Sequence, residues 1–298
     1  MSFTVRLIVL AIVVLAGCGG EGARADLPLI VIDDAGDTIR LPAPARRVVS
    51  LIPATTELLF AIGAGPLLVG RTHWCDYPAA AAQVPDLGDG MNPNLEAVVA
   101  ARPDLVVLYH SGQNGTAAAR LRSLGIPALQ VRSDRLADVP RLAAMLGPLV
   151  ARAEAADSLA RTFERELRAA TVPPPTDPPS VFLLVWDQPP MTVGRGSYLT
   201  ELIERAGAVN VYADLPASSG QISIESAAVR DPDAILTLSE TVPTFALRPE
   251  WQVVRAVRER RFLRISGSEF SRPGPRSPAA IRELAALVGD SVPPSGRR

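Results

Sequence analysis

Thr56-Glu57-Leu58-Leu59-Phe60-Ala61-Ile62-Gly63-Ala64 returns later in the chain as Thr200-Glu201-Leu202-Ile203-Glu204-Arg205-Ala206-Gly207-Ala208. Each is a helical run that a glycine stops. A second echo follows in the same order. Asn94-Leu95-Glu96 leads to Arg102-Pro103-Asp104 and then an apolar strand, and Ser223-Ile224-Glu225 leads at the same spacing to Asp231-Pro232-Asp233 and another. Two echoes in one order predict two similar lobes related by a pseudo-twofold axis.

Outward from the repeat, short apolar runs at 48–52, 67–70, 105–108 and 128–131 alternate with helical stretches, and the alternation resumes at 181–185, 235–238 and 262–265. This order predicts an α/β protein with two Rossmann-like lobes built on parallel sheets. The first lobe is placed at 28–135, opening on a hairpin around Asp34-Ala35-Gly36-Asp37, and the second at 181–290. Between them Leu142, Met145, Leu146, Leu149, Val150, Leu159, Phe163 and Leu167 recur at helical spacing, which predicts one long linking helix over 136–172, kinked at Pro148. Pro173-Pro174-Pro175 opens a linker to residue 180, and 291–298 reads as a frayed tail.

The first residues carry a different signal. A basic start, an apolar run over 7–16 too short for the roughly 20 residues of a membrane span, and Leu15-Ala16-Gly17-Cys18 read as a lipoprotein signal over 1–18. Cys18 is then the lipidated residue and 19–27 a tether, which predicts a body held at the membrane surface in the cell envelope, outside the cytoplasmic membrane or in the periplasm. Net charge −1 and an isoelectric point near 6.2 offer no basic field for nucleic acid. Every cation in the sequence is arginine. With Cys18 lipidated, Cys75 has no disulfide partner and is expected as a buried small hydrophobe in a monomer.

Ligands of open parallel sheets bind beyond the carboxyl ends of the strands, so two facing lobes pool those ends in one cleft. The loops at these ends are Pro53-Ala54-Thr55-Thr56, His73-Trp74-Cys75-Asp76-Tyr77-Pro78, Tyr109-His110-Ser111-Gly112, 186–196 and 270–276. Aromatic residues are 5% of the chain, yet two of its three tryptophans, Trp74 and Trp186, fall in these loops. Stacking surfaces of that kind suit large planar ligands. Trp251 lies in a helical stretch and reads as core.

The run Arg47-Val48-Val49-Ser50-Leu51-Ile52-Pro53-Ala54-Thr55-Thr56-Glu57, with Gly70-Arg71-Thr72-His73-Trp74-Cys75-Asp76-Tyr77-Pro78 and Asn94-Leu95-Glu96, resembles the helical-backbone (class III) substrate-binding proteins of ABC importers. Cys75-Asp76-Tyr77-Pro78 and Pro189-Pro190-Met191-Thr192-Val193-Gly194 resemble the periplasmic cobalamin-binding branch. Phe270-Ser271-Arg272-Pro273-Gly274-Pro275-Arg276 is similar to a segment found across the class.

The resemblance implies capture of cobalamin or a related corrinoid and its delivery to a permease and its ATPase. It implies that Glu96 and Glu225 dock onto the permease, that Trp74 stacks on the ligand, and that Pro53, Ala54 and Thr55 line the cleft with Asp76, Tyr77, Met191, Phe270 and Arg272. Ser219 and Met191 replace a tryptophan and a phenylalanine of that branch, and Trp186 is expected to compensate.

Haem is the alternative cargo, with His73, Tyr109 and His110 as candidate iron ligands beside Tyr77. A ferric siderophore is a third, read by Arg71, Arg195 and Arg272. A ligand receptor for a membrane sensor is a further reading. A metal-centred hydrolase or a metal chelatase is the enzyme alternative, and it is not expected: the chain has no nucleophile elbow, no His-Glu-x-x-His, no phosphate-cradling glycine loop and no third histidine for a catalytic metal. Asp33-Asp34 and Asp231/Asp233 read as solvated turn residues. No cofactor is expected, because the bound molecule is cargo.

Overall fold

The computed structural model describes residues 28–239 and 241–291. The signal, Cys18, the tether and the tail from residue 292 lie outside the described residues. The hairpin forms as expected, with β1 (Leu29–Ile32) antiparallel to β2 (Thr38–Leu41). Asp33 is not a solvated turn residue. It is buried, and its carboxylate accepts the amides of Ala35 and Asp37 and, far along the chain, of Gln130.

In the first lobe β3 (Val48–Ser50) runs into α1 (Pro53–Ala61), followed by β4 (Leu68–Arg71), α2 (Leu95–Ala100), β5 (Leu105–Tyr109), α3 (Gly112–Ser123) and β6 (Ala128–Val131). Its four strands are parallel in the order β4-β3-β5-β6. After α4 (Asp138–Leu149) and α5 (Ala153–Ala170) the second lobe begins with β7 (Ser180–Leu184), then β8 (Trp186–Asp187), β9 (Pro190–Val193), α6 (Tyr198–Arg205), β10 (Val209–Asn210), β11 (Ser219–Gln221), α7 (Ile224–Arg230), β12 (Ala234–Thr237), α8 (Arg255–Arg258), β13 (Phe262–Arg264) and α9 (Ser277–Ser291). Its parallel sheet has the order β10-β7-β12-β13. In both sheets the first parallel strand of the lobe lies between the second and the third, with the fourth outermost. The repeat in sequence is therefore a repeat in topology. What the second lobe adds is the antiparallel ribbon β11-β9-β8, inserted between β7 and α6 and closed by β11.

The echoed residues do the same work twice. Gly63 and Gly207 end α1 and α6 with φ of +74° and +83°, a conformation that costs glycine nothing. Asn94 and Ser223 cap α2 and α7 by accepting the amides of Ala97 and Ser226. Arg102 and Asp231 leave those helices at φ of +47° and +39°, ahead of a proline. Asp104 then accepts the amides of Arg46 and Arg47, and Asp233 that of Ser180, so each aspartate anchors the start of its lobe's first strand. Asp233 is thus buried and paired with Arg255 at 2.8 Å rather than solvated.

The expected single helix over 136–172 is two helices. The chain breaks at Val150-Ala151-Arg152, with Ala151 at φ +54°, and α4 packs against α5. Pro148 lies inside the last turn of α4. Gly147 makes the approach possible: a Cβ there would stand 2.4 Å from that of Ala156. A continuous core that includes Val48, Leu105, Leu146, Phe163, Val181 and Ile281 joins both sheets through α4, α5 and α9. Trp251 is buried against Phe245, their rings 4.3 Å apart, in a second core under the outer face of the second lobe.

Candidate functional site

A cavity of about 770 Å3 lies between the lobes. That lies in the upper part of the range of about 300–1,000 Å3 usual for small-molecule sites. The first lobe supplies Ile52, Pro53 and Ala54 from the β3–α1 turn, and Trp74 and Asp76 from the loop after β4. The second supplies Leu238 after β12, the run Arg264-Ile265-Ser266-Gly267-Ser268 after β13, and Ser271, Arg272 and Pro273. These are carboxyl ends of strands, as the parallel-sheet rule requires. One wall is apolar and carries an exposed indole, Trp74 at 63%. The facing wall is hydroxylic and cationic.

A smaller annex of about 240 Å3 shares Ile52, Pro53 and Trp74 with the cleft and adds Met91 and Tyr109. The Tyr109 hydroxyl donates to Asp134 at 2.8 Å, and burial with that carboxylate pushes its pKa up to about 12. His73 packs against Trp74 with ring centroids 4.7 Å apart and planes tilted by 51°, whereas His110 donates its backbone amide to Val131 and has a buried Nδ1 without a partner. Neither histidine lines the cleft. Among the described residues no group of three metal-binding side chains is assembled.

From the cleft wall into the seam between the lobes, five charges alternate in sign. Asp76 pairs with Arg272, whose Nε lies 3.7 Å from Glu57. Arg276 holds Glu57 through Nε and Nη2 at 3.0 and 2.9 Å, and Nη1 on Glu269. Burial works against the Asp76 carboxylate, but the hydrogen bond and charge of Arg272 hold it below its ordinary range. The Arg276 guanidinium also lies over the Tyr77 ring, 3.7 Å from its centroid. The repeat-related glutamate does likewise: Glu201 on α6 binds Arg135 and accepts the amide of Leu136, at the end of the first lobe.

Pro53, Ala54, Trp74, Asp76 and Arg272 are therefore brought together in the cleft. Thr55 and Phe270 do not reach it. Thr55 is buried and bonded to Ser50 and Ile52, and Phe270 is wholly buried in core. Tyr77 belongs to the ion network. Trp186 and Met191 face each other as partners on β8 and β9, outside the lining, with the Trp186 indole donating to the Gln188 carbonyl. Of the other arginines considered, Arg71 is held on the carbonyls of Ala81 and Thr72, and Arg195 is not in the lining. Ser271 lies in the expected 270–276 loop, whereas Leu238, Arg264 and the serines at 133, 266 and 268 are additions, although the strand-end rule that gave Pro53 also points to the ends of β12 and β13. Cys75 is buried as expected, its Sγ 3.2 Å from the hydroxyls of Thr56 and Thr72. Glu96 and Glu225 stand exposed in the first turns of α2 and α7.

Similarity to known proteins agrees with this geometry. A vitamin B12-binding protein of Vibrio cholerae is 26% identical over 249 residues, which covers 83% of this chain and 90% of that one. An uncharacterised ABC transporter substrate-binding lipoprotein of Bacillus subtilis is 29% identical over 303 residues, covering 94% and 95%. The crystal structure of the periplasmic vitamin B12 binding protein BtuF of Vibrio cholerae superposes with a TM-score of 0.71 at 25% identity, covering 84% of this chain and 99% of that one. The haem binding protein HmuT shares the fold, with a TM-score of 0.75 at 20% identity over 91% of this chain and 93% of that one. The periplasmic binding protein family profile matches residues 48–268, the two sheets and the helices that link them. With two lobes in matching topology around one cleft, the chain belongs to the periplasmic binding protein family.

Proposed function

We propose that this protein is the solute-binding lipoprotein of an ABC importer, that its cargo is cobalamin or a related corrinoid, and that it works by capture and release without a chemical step or a cofactor. Lipidation at Cys18 holds it at the membrane, and Glu96 and Glu225 seat it on the permease. The observation that carries the cargo reading is the exposed Trp74 indole on an apolar wall, facing a wall of serines and arginine across a cleft of about 770 Å3. That pairing suits a flat macrocycle fringed with amides. The similarity to vitamin B12-binding proteins supports the same cargo.

Haem fits less well. An iron porphyrin bound through tyrosine wants a phenolate, and the Tyr109 phenol is engaged by Asp134 and held protonated to about pH 12. Calorimetric titration of the chain beyond Cys18 with cyanocobalamin and haemin tests the reading. Saturable cyanocobalamin binding that weakens in Trp74→Ala supports it. Haemin binding that is lost in Tyr109→Phe or His73→Ala overturns it.

A further inference from the structure

β1 reads Leu29-Ile30-Val31-Ile32, apolar at every position, whereas β2, Thr38-Ile39-Arg40-Leu41, alternates. A strand with water on one face alternates, and a strand apolar on both faces is one that is covered on both. β2 obeys: Ile39 and Leu41 are buried in the core, while Thr38 and Arg40 are exposed. In β1, Leu29 and Val31 pack against that core beside α4, but Ile30 and Ile32 stand 55% and 65% exposed. The register makes this outer face one surface. Ile30 pairs with Arg40 and Ile32 with Thr38, and residues two apart along a strand lie about 7 Å apart on the same side. Two isoleucines therefore lie side by side with a guanidinium at their edge.

We propose that this hairpin face seats the protein on the lipid surface that holds its anchor. The inference rests on lipidation at Cys18, and adds to it a second point of contact that belongs to the folded body. Leu29 is eleven residues beyond Cys18, and a chain of that length spans at most about 40 Å. Two exposed isoleucines would not hold a free protein on a membrane. On so short a tether the contact is intramolecular, with an effective concentration on the order of millimolar, so a weak contact is enough.

The chemistry of the face matches a lipid interface. Isoleucines reach below the headgroups, and Arg40 on the same face stays among their phosphates. With net charge −1 the chain as a whole has no general attraction to an anionic surface, so the local side chains decide which flank turns to the lipid. The hairpin is also fastened to its lobe. Asp33 accepts the Gln130 amide, and Asp34 accepts the Arg132 amide and pairs with Arg141. A seat on the hairpin therefore orients the whole first lobe.

The test is crosslinking of the full lipidated chain in vesicles of phosphatidylcholine and phosphatidylglycerol that carry a photoactivatable phospholipid, with modified peptides read by mass spectrometry. Segment 29–41 is expected to carry most of the crosslinks in the folded body. Ile30→Thr with Ile32→Thr keeps β-branched side chains in the strand and is expected to lower that signal about tenfold, with an unchanged thermal midpoint. Ile30→Val with Ile32→Val should stay near wild type. Arg40→Glu is expected to lower the signal on these vesicles and not on phosphatidylcholine alone. Crosslinks spread evenly over the body, or a wild-type pattern in the threonine variant, overturn the inference. The mass of the N-terminal peptide separates the two readings: a diacylglyceryl group on Cys18 with no preference for 29–41 refutes the seat alone, whereas an unmodified Cys18 refutes the anchor and the seat with it. A dimer of the chain beyond Cys18 that the threonine variant dissolves would make the face a contact between copies of this chain, and equally overturns the proposal.

Discussion

Glu57 on α1 and Arg276 just ahead of α9 meet in a two-point ion pair, at 3.0 and 2.9 Å, across 219 positions of sequence and across the seam between the lobes. Glu57 is 2% exposed. Removing Arg276 leaves the buried Glu57 with Arg272 alone, at 3.7 Å, whereas removing Glu57 leaves Arg276 its contact with Glu269; breaking a buried pair costs up to about 3–5 kcal/mol. Arg276→Ala is expected to lower the unfolding free energy from urea titration by up to that amount, and Glu57→Ala by less, because Arg276 keeps Glu269. A double variant that loses the sum of the two would show that the pair is not coupled.

Trp74→Ala is expected to weaken cyanocobalamin binding at least about tenfold, or about 1.4 kcal/mol, because the ring is exposed and lines both the cleft and its annex. Trp186→Ala should change affinity less, since its indole is tied to its own ribbon. Equal losses in the two titrations would show that the ribbon folds over the ligand.

If Glu96 and Glu225 seat the protein on its permease as proposed, Glu96→Arg with Glu225→Arg is expected to abolish solute uptake in proteoliposomes while calorimetric binding stays as in wild type. Loss of binding as well would remove their assignment to docking.

Alkaline stability has a definite sign. The Tyr109 pKa rises from 10.0 to about 12 on folding, so the folded chain keeps a proton that the unfolded chain releases. Its contribution is complete below about pH 10 and is lost as pH rises through 12. Tyr198 is raised further, chiefly by burial, and adds loss in the same direction. Urea midpoints measured from pH 9 to 11.5 should fall, and fall less steeply in Tyr109→Phe. Parallel curves would mean that Tyr109 titrates as an ordinary phenol.

Gly147→Ala should destabilise by about 1–3 kcal/mol, although alanine is the better helix former by about 1 kcal/mol, because the new methyl meets Ala156. An unchanged or raised urea midpoint would show that α4 and α5 can move apart there.

The echoes made the two-lobe plan legible because each echoed residue has a local task, a stop, a cap or a strand anchor, that side-chain chemistry advertises. The seam was not legible. Glu57 and Glu201 occupy matching places in the repeat and both reach into the other lobe, but their partners Arg276 and Arg135 lie far off in sequence. The break at Ala151 was hidden because helical periodicity runs through it: both helices bury a face, and alanine gives no warning of a positive φ. Phe270 and Asp33 failed for a shared reason. An aromatic or a carboxylate in a loop does not declare which way it faces, and here one fills core while the other caps Gln130.

The alternation Asp76–Arg272–Glu57–Arg276–Glu269 gives each arginine two acids to satisfy. Contacts shared in this way are lost together rather than one by one. Freeing one arginine strands its other acid, so separation of the lobes at this seam is expected to break the pairs as a unit rather than contact by contact.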